Sequence, residues 1–415
     1  MEQYDVIVVG AGAAGLVAAG RAAEQGGKVL VLEKMERAGR KLLITGKGRC
    51  NITNDASQAE FIKHIYSGGR FLKYAFSQFF SYDFIDLIKG YGVEIVLERG
   101  GRYFPASNRS VDVLNALLKW LDKNKVQIHY QYRVEKIIYE GNSIQGVQAN
   151  GKFFKACRVV LTTGGKSYPA TGSNGDGYEL AKQLGHSVES LRPSLVPLET
   201  KGEMARKLQG LTLKNAKAMV WIEGKKQTEA FGEMLFTHFG LSGPIILSLS
   251  RILVDALREN KTVSIVIDLK PALDEQKLDN RLLRDLDEHG KKKIGNLFRH
   301  WLPSAMIPVF IELAGIDPGK EGHQLSSKER KRIRYYMKNL TFEISGHRPF
   351  KEAIITAGGV PTKEIDSKTM ESKFIQGFYF AGEIIDLDGE TGGYNLQIAW
   401  STGWLAGNSA GNQFS

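Results

Sequence analysis

Residues 4–33 read YDVIVVGAGAAGLVAAGRAAEQGGKVLVLE, and this stretch decides the fold. Tyr4 to Gly10 is a short run with apolar residues on both faces, as a strand inside a parallel sheet requires. Ala13 to Gln25 is rich in Ala and reads as a helix, and Lys28 to Glu33 returns as a second strand. The turn between the first strand and the helix carries Gly10-x-Gly12-x-x-Gly15. A side chain at Gly10 would obstruct the tight turn, one at Gly12 would bar an approaching pyrophosphate, and one at Gly15 would hold helix and strand apart. The helix start offers N–H groups without intrahelical partners, and its dipole favours an anion there. Glu33 ends the second strand, where it can accept hydrogen bonds from a ribose. An isolated GxGxxG is a weak signal. Here strand, helix and acid all stand where a dinucleotide needs them.

Working outward, three strand-like runs follow at Arg133–Tyr139, Ser143–Ala149 and Lys152–Arg158, separated by the turn pairs Gly141–Asn142 and Asn150–Gly151. Val159–Thr163 reads as a further buried strand ending at Gly164–Gly165, and Gly377–Gly382 as another late in the chain. Phe71–Lys89 and Val111–Lys123 read as helical, and Asn395–Ala410 as a closing helix. Between about 195 and 340 the character changes. Strand-like Ala216–Ile222 and Thr262–Asp268 flank a helical Pro244–Leu257, and helices punctuated by Pro303, Pro308 and Pro318 come after them. The fold class expected is α/β: a Rossmann-type FAD-binding domain of the glutathione reductase kind, with a central parallel sheet plus β-meander. It would comprise residues 1–194 and 341–415, interrupted by a mixed β and helical insert at 195–340 acting as substrate or cap domain. Resemblance to FAD domains of that kind favours FAD over NAD: they insert such a meander there, Thr162–Thr163–Gly164–Gly165 resembles their ATGG element, and Gly382–Glu383 at the end of a late strand resembles their Gly-Asp/Glu pair. No second GxGxxG stands in a strand–helix context, so a dedicated NAD domain is not expected.

The length of 415 residues suits two domains, and 42% apolar with 24% charged residues is the balance of a globular protein. The two cysteines, Cys50 and Cys157, are far apart in sequence, which argues against dithiol redox chemistry and a disulfide framework. The apolar stretch after Met1 is preceded by Glu2 and Asp5 rather than Lys or Arg, unlike a signal peptide, and no run of 18 apolar residues occurs. A cytoplasmic location without membrane association is the expectation. The net charge is +11, with basic runs at Lys291–Lys293 and Lys328–Arg334. These read as solvated helix faces, so nucleic acid is not expected as a partner; the alternative is attraction of an anionic one.

Longer blocks carry a family resemblance. Arg40–Asn54 (RKLLITGKGRCNITN), Leu235–Pro244 (LFTHFGLSGP), Ala357–Val360 (AGGV) and Gly389–Gln397 (GETGGYNLQ) resemble signatures of the BaiN-like, or YhiN-like, FAD-dependent oxidoreductases, across nearly the whole chain. That family includes bile-acid-intermediate reductases and aminoacetone oxidase-like proteins. Thr163–Gly165 followed by Thr171–Gly177 (TGSNGDG) is more distantly similar to the fumarate reductase and succinate dehydrogenase flavoproteins. Those attach flavin through a His, and Ile44–Asn54 contains none, so noncovalent FAD is expected.

The expected cofactor-binding set is Gly10, Gly12, Ala13, Ala14, Gly15, Glu33, Lys34, Arg40, Lys41, Gly46, Gly48, Arg49, Asn51, Val134, Thr163, Gly164, Gly165, Gly382, Glu383, Gly393, Tyr394, Asn395 and Leu396. Within it, Arg40, Lys41 and Arg49, with Lys47, are cations beside glycines, suited to a pyrophosphate or to reduced flavin. Asn51 and Thr53 are suited to the flavin ring or to fixing the loop. Gly382–Glu383 resembles the pair that holds the ribityl chain in such flavoproteins. Gly392–Asn395 opens the last helix, whose N–H groups would steady negative charge on the flavin; Asn395 also suits an ordinary helix cap. Candidate catalytic residues are His238, Cys50 and Tyr394, with Tyr168, Arg348 and Glu390 as weaker ones; a lone His or Cys is more often structural. Cysteine and histidine spacing shows no zinc pattern, so no metal is expected. The expected activity is FAD-dependent oxidation or reduction of a small organic substrate by hydride transfer at flavin N5, with NAD(P)H a transient electron donor. The alternatives are an RNA-modifying flavoprotein and a non-catalytic FAD-binding protein.

Overall fold

Strand β1 (Gln3–Val9) leads into helix α1 (Ala13–Glu24), and β2 (Val29–Glu33) lies parallel to β1 with Val6 opposite Val29. Val6, Ile7 and Val8 have no exposed surface, which makes β1 the anchor of the sheet. Each such buried side chain stabilises by about 1.5–3 kcal/mol. Strand Lys152–Leu161 runs parallel to the other side of β1, Val9 opposite Leu161. Gly10 and Thr162 therefore leave the sheet side by side. The computed structural model describes residues 3–412; residues 1–2 and 413–415, the ends of the expected nucleotide domain, lie outside them.

The seven-stranded sheet has the order Gln127–Tyr130, β2, β1, Lys152–Leu161, Ser143–Ala149, Val134–Glu140, with Phe378–Phe380 added beside Lys152–Leu161. The runs read separately as Lys152–Arg158 and Val159–Thr163 are one strand, which ends before Thr162. Its far edge is shared: residues 152–155 pair antiparallel with the meander, and 159–161 pair parallel with Phe378–Phe380. Phe71–Lys89 is likewise two helices, Lys73–Gln78 and Ser81–Lys89. The break falls at Phe79–Phe80, where the Asp83 carboxylate accepts from Phe80 N at 2.6 Å and starts the second helix.

The closing helix, Tyr394–Gly411, packs along α1 through glycines. A Cβ at Gly403 would lie 2.5 Å from Ala14 O, and one at Gly407 would lie 2.3 Å from Ala18 O. Spaced one helical turn apart, these glycines let the two backbones approach. The helix that opens at the chain's last glycine motif is thereby held against the helix that opens at its first.

The chain divides into two units: residues up to Pro193 together with those from Phe350, and Ser194–Pro349. Each has its own apolar core. In the second, six strands close a barrel in the order Leu198–Thr200, Gly240–Ser242, Lys225–Phe236, Thr212–Ile222, Val263–Asp268, Leu340–His347. Helices Pro244–Arg258, Glu275–His289, Ile294–Trp301, Ile307–Ala314 and Ser327–Lys338 complete it. Residues 341–349, assigned by the sequence reading to the nucleotide domain, belong here. Leu340–His347 is the strand that closes the barrel, pairing with both Val263–Asp268 and Leu198–Thr200.

Candidate functional site

At the end of β1, Gly10 has φ +104°, and a Cβ there would lie 2.9 Å from Thr162 O. At Gly15 a Cβ would lie 1.9 Å from Gly10 O. The Thr162 hydroxyl lies 2.9 Å from both Val9 O and Gly10 O and ties the two strand ends together. Gly12 is different: a Cβ there would meet nothing within 4 Å. Its glycine answers to open space, not to the packing of the chain. Gly12 caps α1 without any side-chain hydrogen bond, and the first turn holds no acidic residue. The amides of Ala13, Ala14 and Gly15 are left without intrahelical partners by helix geometry. Glu33 is 9% exposed, and its carboxylate accepts from Ala11 N at 2.7 Å and Met35 N at 2.8 Å. Burial pushes its carboxyl above the ordinary range, against the pull of those two N–H groups. The Thr163 hydroxyl is buried and has no hydrogen-bond partner. An open glycine, an uncapped helix start, a buried acid and an unsatisfied hydroxyl fit a dinucleotide.

The cations are placed otherwise than the sequence suggested. Lys34 binds Asp176 and Asn174, each at 2.7 Å; Arg40 pairs with Glu36 and donates to Ala170 O; Arg49 pairs with Glu98 and lies over the Phe104 ring. Lys41 donates to Glu383 and to Ser167 Oγ, both at 2.6 Å. Each of the four is matched to a carboxylate. Glu383 also accepts from Thr356 N at 2.8 Å and Ser167 Oγ at 2.9 Å. A Cβ at Gly165 would lie 2.5 Å from Thr356 Oγ1 and 2.7 Å from the Glu383 carboxylate. Gly165 thus makes room for this network, while Gly164 (φ +73°) makes the turn beside Ser173. Gly382 (φ +78°) donates its N–H to Thr402 Oγ1 in the closing helix. Val134 is buried at the start of the meander and serves the core, as does the partly buried Leu396.

The two glycine-rich signatures meet. Asn51, its amide turned to satisfy both neighbours, accepts from Gly393 N at 3.1 Å and donates to Thr53 O. Asn54 donates to Gly392 O, Thr53 Oγ1 bonds Gln397, and Trp400 donates to Ile52 O. Gly46 and Gly48 have positive φ on the approach to this loop, and Gly48 faces open space. Gly393, not Asn395, caps the closing helix, and its amide is taken by Asn51. The Asn395 side chain instead fastens the turn at Gly389–Glu390. The amides left at that helix start are those of Tyr394, Asn395 and Leu396.

Among the candidate catalytic residues, Cys50 is fully buried at φ +62°, and burial pushes its thiol up to about 12. No thiolate forms there near neutral pH, so Cys50 is a small core residue, contrary to a redox role. Tyr394 is 7% exposed, stacked 4.5 Å from the His64 ring and edge-on to Phe61, and burial pushes its hydroxyl up to about 12. His64 in turn bonds Glu390 at 2.9 Å, and that carboxylate raises the imidazole above its ordinary range against the effect of burial. His64 was not singled out by sequence, because a single His near a helix end carries no spacing signal. Tyr168, at φ +50°, has its N–H on Phe350 O. In the second unit, His238 is exposed and sits edge-on to Phe239, with the Arg348 guanidinium 4.5 Å from the same ring. Arg348 also binds Glu199 at 2.8 Å. Among the described residues no cluster of His, Cys, Asp and Glu could hold a metal, and no helix is long and apolar enough to cross a membrane.

The family described as HI0933-like protein Rossmann domain matches residues 4–409. The chain belongs to the HI0933-like family. This HI0933-like chain is 33% identical over 407 residues to the 3-dehydro-bile acid delta(4,6)-reductase of Clostridium scindens, covering 97% of this chain and 98% of the relative. It is 30% identical to the ribosomal RNA dihydrouridine synthases of Escherichia coli (97% of each chain) and Haemophilus influenzae (100% of each). The resemblance to BaiN-like flavoproteins drawn from the signature blocks therefore stands, and the HI0933-like chain is an FAD-dependent oxidoreductase. At the level of fold, the Mycobacterium smegmatis Sdh1 complex in its apo form matches with TM-score 0.52 and 18% identity, covering 99% of this chain and 68% of that one. A quinol–fumarate reductase matches with TM-score 0.50 and 18% identity, covering 100% and 71%.

Proposed function

We propose that this enzyme reduces a carbon–carbon double bond conjugated with a carbonyl, using noncovalent FAD and a transiently bound NAD(P)H donor. What supports the reading is a reaction shared by two relatives' names. One is named for saturating the Δ4,6 bonds of a 3-dehydro bile acid and the other for making dihydrouridine in ribosomal RNA. Both describe addition of hydrogen across a ring double bond that a carbonyl polarises. Bound FAD would supply hydride transfer between the donor and the electron-poor carbon of the substrate. The chain's own residues supply the rest. Amides of Ala13–Gly15 would hold the diphosphate, Glu33 would hold the adenosine ribose, and the Tyr394–Leu396 amides would steady negative charge on the reduced flavin. His238, exposed beside Phe239 in the second unit, is the proposed proton donor to the second carbon.

Anaerobic NADPH, with NADH as comparison, is expected to bleach the visible flavin band. A conjugated steroid dienone or a uridine-containing RNA is then expected to restore it. Bleaching by neither nucleotide removes NAD(P)H as donor. If protein reduced by light is reoxidised by neither class of acceptor, the conjugated-bond reading is wrong.

A further inference from the structure

The helix Ser327–Lys338 divides its charges by face. On the inner side Ile333 and Met337 are fully buried. Arg330 and Arg334 both bind Asp279 at 3.1 Å, and Lys338 donates to Leu273 O at 2.7 Å. On the outer side Lys328, Lys331, Arg332 and Tyr335 recur at i, i+3, i+4 and i+7, which is one stripe of a helix. All four are exposed, Tyr335 by 57%, and its ring stands edge-on to Tyr336 at 5.4 Å. Glu329, the nearby acid, is taken up by Lys320 at 2.9 Å. The stripe lines a groove of ≈ 680 Å³ together with Lys320 and Tyr336.

The second basic run lies beside it. Lys293 and Glu321 form an antiparallel bridge, Ile294 N donates to Lys320 O at 2.8 Å, and Gly322 N donates to Lys292 O at 3.0 Å. This backbone pairing fastens the exposed Lys291–Lys293 segment to the strand of chain that enters the basic helix. Among the described residues, none of Lys291, Lys292, Lys293, Lys328, Lys331 and Arg332 is paired with a carboxylate. Runs about 35 residues apart in sequence are thus neighbours in one unit, with their charge uncompensated and an exposed aromatic beside it.

We propose that this face binds single-stranded nucleic acid, with the unpaired cations on successive phosphates and Tyr335 stacked on a base. A lipid surface would need apolar residues to insert, and the stripe offers none besides the tyrosines. Phosphates regularly spaced beside flat, unpaired bases match cations at helical spacing that end on an exposed ring. The inference concerns docking and holds whichever double bond the enzyme reduces.

The test uses the flavin-loaded full chain and fluorescent oligouridine RNA, with DNA of the same length and heparin as comparisons, at several salt concentrations. RNA is expected to bind with a log–log salt slope of up to about −4, from about 0.7 per neutralised phosphate and six cations. Lys328→Gln/Lys331→Gln/Arg332→Gln should weaken binding by at least about a hundredfold and flatten the slope by about 2. Tyr335→Ala should weaken RNA binding by about tenfold and leave heparin binding unchanged, because heparin has no bases to stack. Unchanged flavin content reports that the variants are folded. Equal affinity for DNA assigns recognition to phosphates and bases; preference for RNA adds the 2′-hydroxyl. The proposal is overturned if the triple variant binds RNA like the parent or if Tyr335→Ala affects RNA and heparin alike. Binding to phosphatidylserine vesicles but not to RNA would overturn it as well.

Discussion

Gly12→Asp is expected to give a folded protein that no longer holds FAD. Gly12 has ordinary helix-entry geometry, with φ −81°, and open space where a Cβ would go. The chain itself therefore has no reason to refuse a side chain. Asp is moreover a favoured helix cap, and its carboxylate can accept from the free amides of α1, stabilising the cofactor-free protein by about a few tenths of a kcal/mol relative to Gly. The same carboxylate would stand where the diphosphate belongs and take the same donors. An uncompensated like charge at such a site costs about 3 kcal/mol or more, so FAD affinity should fall by at least about a hundredfold. Thermal melting of the cofactor-free protein and FAD titration followed by fluorescence quenching separate the two effects. A Gly12→Asp protein that binds FAD like the parent would place the diphosphate elsewhere. Gly15→Val makes the contrast: its side chain would meet Gly10 O, and the fold itself should fail.

Glu383→Ala is expected to destabilise the first unit by about 2–4 kcal/mol. The residue looks from sequence like a ribityl ligand, but its carboxylate binds Lys41, Ser167 and the Thr356 N–H. Its side chain is 14% exposed and that of Lys41 21%, so the loss is set below that of a fully buried ion pair. Removing the carboxylate leaves the Lys41 ammonium with Ser167 Oγ but no counter-charge and takes the acceptor from the Thr356 amide, and an unsatisfied partner is costlier than a missing pair. Lys41→Met combined with Glu383→Ala should therefore cost less than the sum of the two single changes. Urea unfolding of the three variants checks this. Strict additivity would mean that the pair is not coupled and that Glu383 acts only on a ligand.

The strand–turn–helix at residues 4–33 was legible because its glycines, apolar runs and acid each follow from local geometry. Its three glycines do different work: Gly10 and Gly15 answer to backbone atoms of Thr162 and Gly10 and would be needed without any ligand, whereas Gly12 would not. That distinction is visible only in coordinates. The partners of the cations at 34, 40, 41 and 49 were not legible, because sequence shows a charge and not what it meets; Glu36 lies in the same segment, but Asp176, Glu98 and Glu383 come from three others. Cys50 and Asn395 stand in signature blocks, yet one is core and the other ties a turn. Barrel closure was invisible for a similar reason: Leu340–His347 pairs with a strand more than a hundred residues earlier, and no local pattern marks such a pairing. The basic runs were read as solvated faces, a sound reading for either alone; the fold sets them side by side.

The measurement closest to the central claim is acid precipitation of the freshly purified protein, followed by chromatography of the flavin released into the supernatant. If the amides after β1 hold a diphosphate and Glu33 an adenosine ribose, one FAD per chain is released intact and the pellet is colourless. Flavin retained in the pellet, FMN in place of FAD, or no flavin from protein soaked with FAD would each contradict the account.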